Sequence, residues 1–450
     1  MRIRGLLVAT VVFAALAGLL YWSDHRKSSA EAAKPDADAD AAPQILKLDE
    51  NSITQFELKK KDAPAILLTK SGSDWKITAP KPYAADQASV SNIVSRLASL
   101  DSERLVDSKA TDLQRYGLEH PSLELDVTEK NNKTQHLLMG DDTPTGNAVY
   151  AALAGDPRVF TIATYNKTTL DRSLNDLRDK RLLTISPDKV SRLEIDGKNG
   201  DIEFGRDRSG HNEDAWQILQ PKPMRANSDA VSGLLSKLTD ARMDLGSSDK
   251  AAIESDSAFV HGTPVATVKI TADSGTQQLQ IRKSKDVYYA KSDVVEGAYK
   301  VGSDLGDSVD KNLDDFRNKK LFDFGYSEPS KLEIHSGAKT YSLMRGGQDW
   351  WDNGKKMDAD SIQSLISNLR DLSADKFADS GFTTPSIEAT VTDSDGKRVE
   401  KISISPSGSN YIAKRDSDPT RYQLPANSVD DLKKSLDKLT VAPPPNKSRK

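Results

Sequence analysis

Short runs in which apolar and polar residues alternate, followed by a stretch with helical spacing, recur three times along the chain. In the first copy Ile53 to Leu58 and Ala65 to Thr69 alternate with period two around a lysine-rich turn, as in a hairpin with one wet face. Trp75-Lys76-Ile77 reads as a third short strand, ended by Pro80 and Pro82. Asp86 is placed to cap a helix from about Gln87 to Leu100, on which Val90, Ile93, Val94 and Leu97 share one face. The turn Tyr116-Gly117-Leu118-Glu119-His120-Pro121 leads into strands Leu123 to Thr128 and His136 to Met139, paired through a tip at Asn131-Asn132. Strands Ala148 to Leu153 and Val159 to Ile162 follow. A helix from about Tyr165 to Leu177 then leads into Arg178-Asp179-Lys180-Arg181-Leu182-Leu183.

The second copy keeps this order. Val190 to Ile195 and Asp201 to Gly205 form its hairpin, Trp216 matches Trp75, and Pro221 and Pro223 match Pro80 and Pro82. Its helix carries Val231, Leu234, Leu235 and Leu238, and Val260-His261-Gly262-Thr263-Pro264 stands where the first turn stood. Strands are expected over Val265 to Thr271, Gln277 to Ile281 and Val287 to Ala290. Phe316 to Phe322 closes the copy in nearly the same text as Leu177 to Leu183.

The third copy is shorter and lacks the proline pair. Trp350 or Trp351 takes the Trp position, Ile362, Leu365, Ile366 and Leu369 mark the helix, and Gly381 to Pro385 is the turn. Tyr411 matches Tyr150 and Tyr289, and Leu432 to Leu439 closes the copy. The spacing from Trp75 to Trp216 sets a period of about 140 residues, far above the 20–50 of solenoids, so each copy is long enough for its own core. Strands mixed with helices across short turns predict an α+β fold with mainly antiparallel sheets. The modules are bounded at 44–183, 184–322 and 323–441.

What precedes them is different in kind. Gly5 to Trp22 holds no charge and, as a helix, spans about 27 Å, enough to cross a bilayer core. Arg2 and Arg4 precede it, and Tyr21 and Trp22 sit where an interfacial belt belongs. The reading is a cytoplasmic N-terminus at 1–4 and a single-pass inner-membrane anchor at 5–22, with the remaining chain in the periplasm or extracytoplasmic space. A cleaved signal peptide is the competing reading, with Ser28-Ser29-Ala30 as its cleavage site, beyond the charged cluster. Residues 23–43 read as a disordered linker, in which Asp36, Asp38 and Asp40 alternate with alanine; residues 442–450 read as a disordered, proline-rich then basic tail.

Composition narrows the chemistry. There is no cysteine, which removes disulfides, thiolate metal sites, a cysteine nucleophile and a lipidated cysteine. A net charge of −4, with acidic and basic residues interleaved, argues against a nucleic-acid partner. The six histidines, at 25, 120, 136, 211, 261 and 335, form no H-x-H or H-x-x-x-H pair. His120 and His261 occupy related positions before Pro121 and Pro264, where a turn role is favoured over a ligand role. Neither a nucleophile elbow nor a phosphate-binding loop occurs, and Ser405 to Ser409 reads as a hairpin tip. Asp393-Ser394-Asp395-Gly396 opens like a calcium loop, but position 12 is Ser405, and the stretch reads as a turn. No residue is nominated as catalytic, cofactor-binding or metal-ligating. The recurrent Trp is expected to plug the core rather than form a sugar-stacking row. Adjacent strand residues face opposite sides, so one of Trp350 and Trp351 is exposed and is nominated as a partner contact.

Trp75, Ile77, Pro80, Ala85 and Asp86, the turn residues Tyr116, Gly117, Leu118 and Pro121, the later Val-Tyr strand and the Leu-Arg-Asp-Lys close together resemble a bacterial family of unknown function known as DUF4340. The resemblance covers the first module, much of the second and parts of the third, which depart from it at the Tyr-Gly-Leu turn. It implies a single-pass envelope protein often encoded beside ABC-type transport components of the gliding-motility kind, and it brings no catalytic residues. The resulting expectation is a membrane-anchored binding or scaffolding accessory of an envelope complex such as an ABC-type exporter. The alternatives are an envelope glycan-binding module or a hydrolase with dispersed acidic residues.

Overall fold

The computed structural model describes residues 45–207, 215–246 and 249–443. The chain divides between Asp179 and Lys180 into two compact units. The first holds one antiparallel sheet built from β1 (Ile53–Lys60), β2 (Ala63–Ser71), β3 (Asp74–Ala79), β4 (Tyr83–Ala84), β5 (Arg104–Asp107), β6 (Leu123–Glu129), β7 (Thr134–Asp142), β8 (Ala148–Leu153) and β9 (Val159–Ala163). Its helices are α1 (Gln87–Ala98), α2 (Thr164–Leu170) and α3 (Leu174–Leu177). The strand order is β4-β3-β2-β1-β6-β7-β8-β9-β5.

The second unit holds two more sheets. One contains β10 (Val190–Gly197), β11 (Ile202–Asp207), β12 (Ala215–Gln220), β13 (Met224–Arg225), β14 (Thr263–Ala272), β15 (Gly275–Ser284), β16 (Val287–Ser292) and β17 (Ala298–Val301), with α4 (Ser228–Asp240), α5 (Asp249–His261), α6 (Ser303–Val309) and α7 (Leu313–Phe316). The other contains β18 (Lys331–Ser336), β19 (Lys339–Gly346), β20 (Asp349–Asp352), β21 (Lys355–Lys356), β22 (Lys376–Ala378), β23 (Ile387–Thr392), β24 (Val399–Ser407), β25 (Asn410–Arg415) and β26 (Asp418–Leu424), with α8 (Ala359–Asp371) and α9 (Ala426–Asp437). Their orders are β13-β12-β11-β10-β14-β15-β16-β17 and β21-β20-β19-β18-β23-β24-β25-β26-β22. All three sheets therefore repeat one topology, as tandem α+β modules require.

Within each sheet two four-strand meanders, each followed by helix, meet through their first strands. Phe56 pairs with Val127, Leu193 with Ile270, and Ile334 with Ala389 across these central seams. Each sheet turns a continuous apolar face towards its helices, and three separate cores result. Val90, Ile93, Val94 and Leu97 of α1 are buried in the first, and Ile362, Leu365, Ile366 and Leu369 of α8 in the third. Asp86, Asn227 and Asp358 cap the long helices, accepting from Ser89 N at 2.7 Å, Ala230 N at 3.2 Å and Ser361 N at 2.9 Å.

The closing segment of each repeat then returns to its own lead-in. Asp86 N donates to Leu177 O (2.8 Å), Asn227 N to Phe316 O (2.7 Å) and Asp358 N to Thr440 O (2.9 Å). Asp179 N to Ala84 O (2.9 Å) and Asn318 N to Arg225 O (2.9 Å) complete the ladder in the first two repeats. The Ala-Asp lead-in and the Leu-Arg-Asp-Lys close are thus two sides of one short backbone pairing.

Several expected elements differ. The closing helix over Tyr165 to Leu177 is two helices, because Ser173 and Asp176 form a capping box that restarts it after Asp171; Asn312 and Asp315 repeat the break. The turn expected at Val260–Pro264 is the end of helix α5 running into β14. In place of the ninth strand of the other two sheets, the second has a single bridge from Asp244 to Lys300, and helix α5 packs against the same edge: Phe259 is buried, and the Asp256 carboxylate accepts from β17 at Ala298 N (2.6 Å). Ser405, Pro406 and Ser407 belong to β24, leaving Gly408-Ser409 as the hairpin tip. The third-repeat close is part of a longer helix beginning at Ala426. Leu182 and Leu183 pack in the second core and Leu321 and Phe322 in the third, so packing puts the module borders just before these residues.

No helix among the described residues is long and apolar enough to cross a membrane. The segments read as N-terminus, anchor and linker, most of the tail, and His25, Asp36, Asp38, Asp40 and His211 lie outside the described residues.

The Tyr-Gly-Leu turn has a local explanation. A 3₁₀ turn at Gln114–Tyr116 ends on Gly117, which has φ 68° and whose added Cβ would fall 2.5 Å from Asp141 Cγ. Gly72 has a similar φ of 65° in open space. Replacing Gly72 by Ala should cost about 1 kcal/mol for the left-handed backbone alone. Gly117→Ala should cost distinctly more, and chemical denaturation of the two variants checks that ordering.

Candidate functional site

Trp75, Trp216 and Trp350 are 5%, 2% and 5% exposed, each in the core of its own repeat. They are held by their neighbours: Trp75 N donates to Gln87 Oε1 (2.8 Å), Trp216 N to Ser228 Oγ (3.0 Å), and Met357 N to Trp350 O (2.8 Å). Three buried rings leave no row for stacking sugars. Trp351, nominated with Trp350 as a contact, lies on the opposite face and is 39% exposed. Its cross-strand partner is Met344, 57% exposed, and together they form an apolar pair on the outer face of the third sheet.

The described histidines are dispersed. His136 Nδ1 meets Asp126 Oδ1 at 2.7 Å, His261 Nδ1 meets Ser257 O at 2.9 Å, His335 Nδ1 meets Thr340 Oγ1 at 3.0 Å, and His120 is exposed. Among the described residues no group of three or more His, Asp and Glu side chains could hold a metal ion. Asp393 to Gly396 forms the turn between β23 and β24, with Gly396 N donating to Asp393 O (3.2 Å).

The most developed polar constellation lies in the second unit, where the second and third sheets meet around a cleft of about 590 Å³. Asp323, in the segment joining them, is its centre. It is gripped by Arg225 of β13, by Arg415 of β25 at 3.3 Å, and by Asn318 Nδ2 at 3.1 Å. Arg225 also donates to Lys320 O (2.8 Å) and Tyr422 Oη (3.2 Å). Behind it the buried pair Arg415–Glu400 closes at 2.8 Å; Arg415 also donates to Leu321 O, and Glu400 Oε2 accepts from Asp323 N (2.9 Å). Arg317 stacks 3.4 Å over the Phe377 ring and fixes the other side of the joint.

The equivalent positions explain how this arose. Glu400, Gln277 and Gln135 occupy the same place on the second strand of their second meanders. Each engages the backbone entering its own repeat: Asp323 N donates to Glu400, Thr184 N to Gln277 Oε1 (2.9 Å), and Gln135 Nε2 donates to Lys47 O (3.1 Å). The third repeat carries a charge in this clamp, with Arg415 where the second has Ser292. Arg225 likewise stands where the first repeat has Ala84.

Burial pushes the Tyr422 phenol up to about 12, Arg225 opposing and Asp418 reinforcing the shift. Burial would also raise Asp418. Hydrogen bonds from Tyr422 Oη (2.6 Å) and Thr420, with the Arg225 charge, outweigh it and hold the carboxyl below the usual range. Burial would lower Arg225, but Asp323 and Tyr422 keep it above its ordinary value.

The sequence model of a domain of unknown function, DUF4340, matches residues 75–214 and again residues 216–389. The chain belongs to the DUF4340 family. No curated protein and no solved structure matches it. Both DUF4340 matches begin at or beside a lead-in Trp, two strands into a sheet. The first runs past the opening hairpin of the next repeat and the second reaches β23, so each match is out of phase with the sheets and includes the segment that connects one sheet to the next.

Two outcomes follow for this DUF4340 joint. Arg415→Ser leaves the buried Glu400 with Arg398 (3.2 Å) as its one cation and Asp323 without its second arginine, and should cost about 3 kcal/mol. Adding Glu400→Gln, which recreates the neutral Gln277–Ser292 arrangement, should recover much of that loss in urea unfolding.

For pH, Asp418 has a folded pKa below its unfolded one. Its contribution is complete above the unfolded value near 4 and is lost as pH falls through the folded value. Tyr422 has the opposite sign: its contribution is complete below about pH 10 and is lost as pH rises towards about 12. Asp418→Asn should flatten the acid limb of stability against pH, and Tyr422→Phe the alkaline limb.

Proposed function

We propose that this DUF4340 chain is a binding and scaffolding protein, held at the inner membrane by residues 5–22 with its bulk on the extracytoplasmic side. It serves as an accessory of an envelope complex such as an ABC-type exporter. One observation carries this reading: the elaborate charged constellation of the second unit is committed to joining two sheets. Arg225 and Arg415 direct their donors at backbone carbonyls and at carboxylates that other groups already hold. A rigid pair of sheets is what presentation of a surface needs, and the uncharged stretch from Gly5 to Trp22 supplies the tether. Tethering raises the effective concentration of the array for membrane partners without any new contact.

Within this reading Trp351 and Met344 are the contact surface, since both are apolar, exposed and paired on the outer sheet face. Photo-crosslinkers at positions 351 and 344 of the tagged full-length chain in cells should capture transporter subunits from the membrane fraction. Trp351→Glu should abolish that capture while leaving the melting temperature unchanged. Capture of wall material alone, or turnover of a substrate by the purified chain, would defeat the reading.

A further inference from the structure

The cleft in the second unit contains cationic groups that the joint does not use. Arg370, near the end of α8, donates through Nε to Gly325 O at 2.6 Å. Its guanidinium lies against two aromatic rings, Phe324 at 5.6 Å and Tyr326 at 5.5 Å. Phe324 is buried, whereas Tyr326 is 93% exposed, so one ring anchors the arginine and the other rests on it from the solvent side. The two Nη groups have no protein acceptor among the described residues. A guanidinium fixed at Nε and stacked on rings loses little freedom when its remaining donors engage a planar or tetrahedral anion.

Lys320, also on the cleft wall, uses its backbone in the joint while its ammonium has no carboxylate partner among the described residues. The carboxylates Asp323 and Asp418 are already held, by Arg225 and Arg415 and by Tyr422 and Thr420. Asp229 is the remaining carboxylate of the lining and has no cationic partner among the described residues. It faces the cleft as an acceptor for a hydroxyl or amine. The volume of about 590 Å³ is that of a small-molecule site rather than of a bare ion.

We propose that this cleft binds a small organic anion, a phosphate or carboxylate bearing hydroxyl or amine groups, with the Arg370 fork and Lys320 holding the anionic end and Asp229 the donor end. The same chemistry is presented by a soluble phosphate ester and by a phosphoglycerol lipid headgroup. The inference is independent of the scaffolding role, since a partner-binding surface on the outer sheet face needs no ligand in the cleft.

The full chain, reconstituted in neutral phosphatidylcholine vesicles at low salt, is titrated calorimetrically with inorganic phosphate and with glycerol 3-phosphate. Saturable binding is expected, tighter for glycerol 3-phosphate. Arg370→Gln should weaken it by at least about tenfold. Lys320→Gln, at an exposed position that leaves the fold intact, should weaken it several-fold, and Asp229→Asn should remove the preference for the glycerol ester. Repeating the titration with phosphatidylglycerol in the vesicles separates the two sources: weaker apparent binding that depends on Arg370 assigns the site to the lipid headgroup, and unchanged binding assigns it to a soluble anion. No saturable binding to either probe, or equal affinity in the wild type and in both Arg370→Gln and Lys320→Gln, overturns the proposal.

Discussion

Each repeat depends on one seam, the antiparallel pairing between the first strand of its first meander and the first strand of its second. A four-strand meander with a single helix has one face only partly covered and two open edges. Joining two such meanders through β1–β6, β10–β14 or β18–β23 removes one edge from each and makes a sheet wide enough for the helices of both halves to pack side by side. The seam residues Phe56, Val127, Leu193, Ile270, Ile334 and Ala389 are all buried, so a slip of one residue would turn the apolar set of an entire meander to solvent. The remaining edges are managed in other ways. β4, β13 and β21 are only two residues long, and α5 with its Asp256 carboxylate covers the end of the second sheet.

Divergence among the repeats is where the second unit acquires its rigidity. A neutral glutamine that receives or reaches the incoming backbone is sufficient in the first two repeats. With glutamate at the same point, the third repeat has to neutralise a buried charge, and Arg415 does so while also reaching Leu321 O. Burying two ions in place of two neutral groups gives no net stability by itself, because desolvation offsets their attraction. What it confers is specificity. Arg225, Asp323, Arg415 and Tyr422 satisfy one another in a single arrangement of the two sheets, and any other arrangement leaves a charge unpaired.

Much of this fold was legible in the sequence because it rests on local periodicity. Val90 to Leu97 and Ile362 to Leu369 show the helical stripe, and the alternating runs around Phe56 and Leu125 show the strands. Helix α5 was not legible, since among its described side chains Ile253 and Val260 are exposed and Phe259 is the large apolar residue that is buried, which leaves no stripe. Two-residue strands such as Tyr83–Ala84 have no period to detect. The joint was hidden for another reason. Arg225 meets Asp323 and Tyr422 across long sequence separations, and no short motif encodes such a meeting. The available signal was deviation from the repeat: Arg225 in place of Ala84, Glu400 in place of Gln277, and Arg415 in place of Ser292.

The phase of the family matches bears on what the repeating unit is. A unit that runs from a lead-in Trp through the close and into the next hairpin does not correspond to a free-standing sheet. It corresponds to the end of one sheet, the connection, and the start of the next. The second match contains Arg225, Asn318, Lys320, Asp323 and Arg370 in one stretch, while Glu400, Arg415 and Tyr422 lie beyond it. The connection therefore lies inside the matched stretch, and the buried anchor that receives it is supplied by the remainder of this chain. In the second unit that connection has to hold the second and third sheets in register, through Asp323 with Arg225 and Arg415. That requirement suits a chain that presents surfaces, and it also leaves Arg370 and Lys320 fixed in place beside a cleft that the joint itself creates.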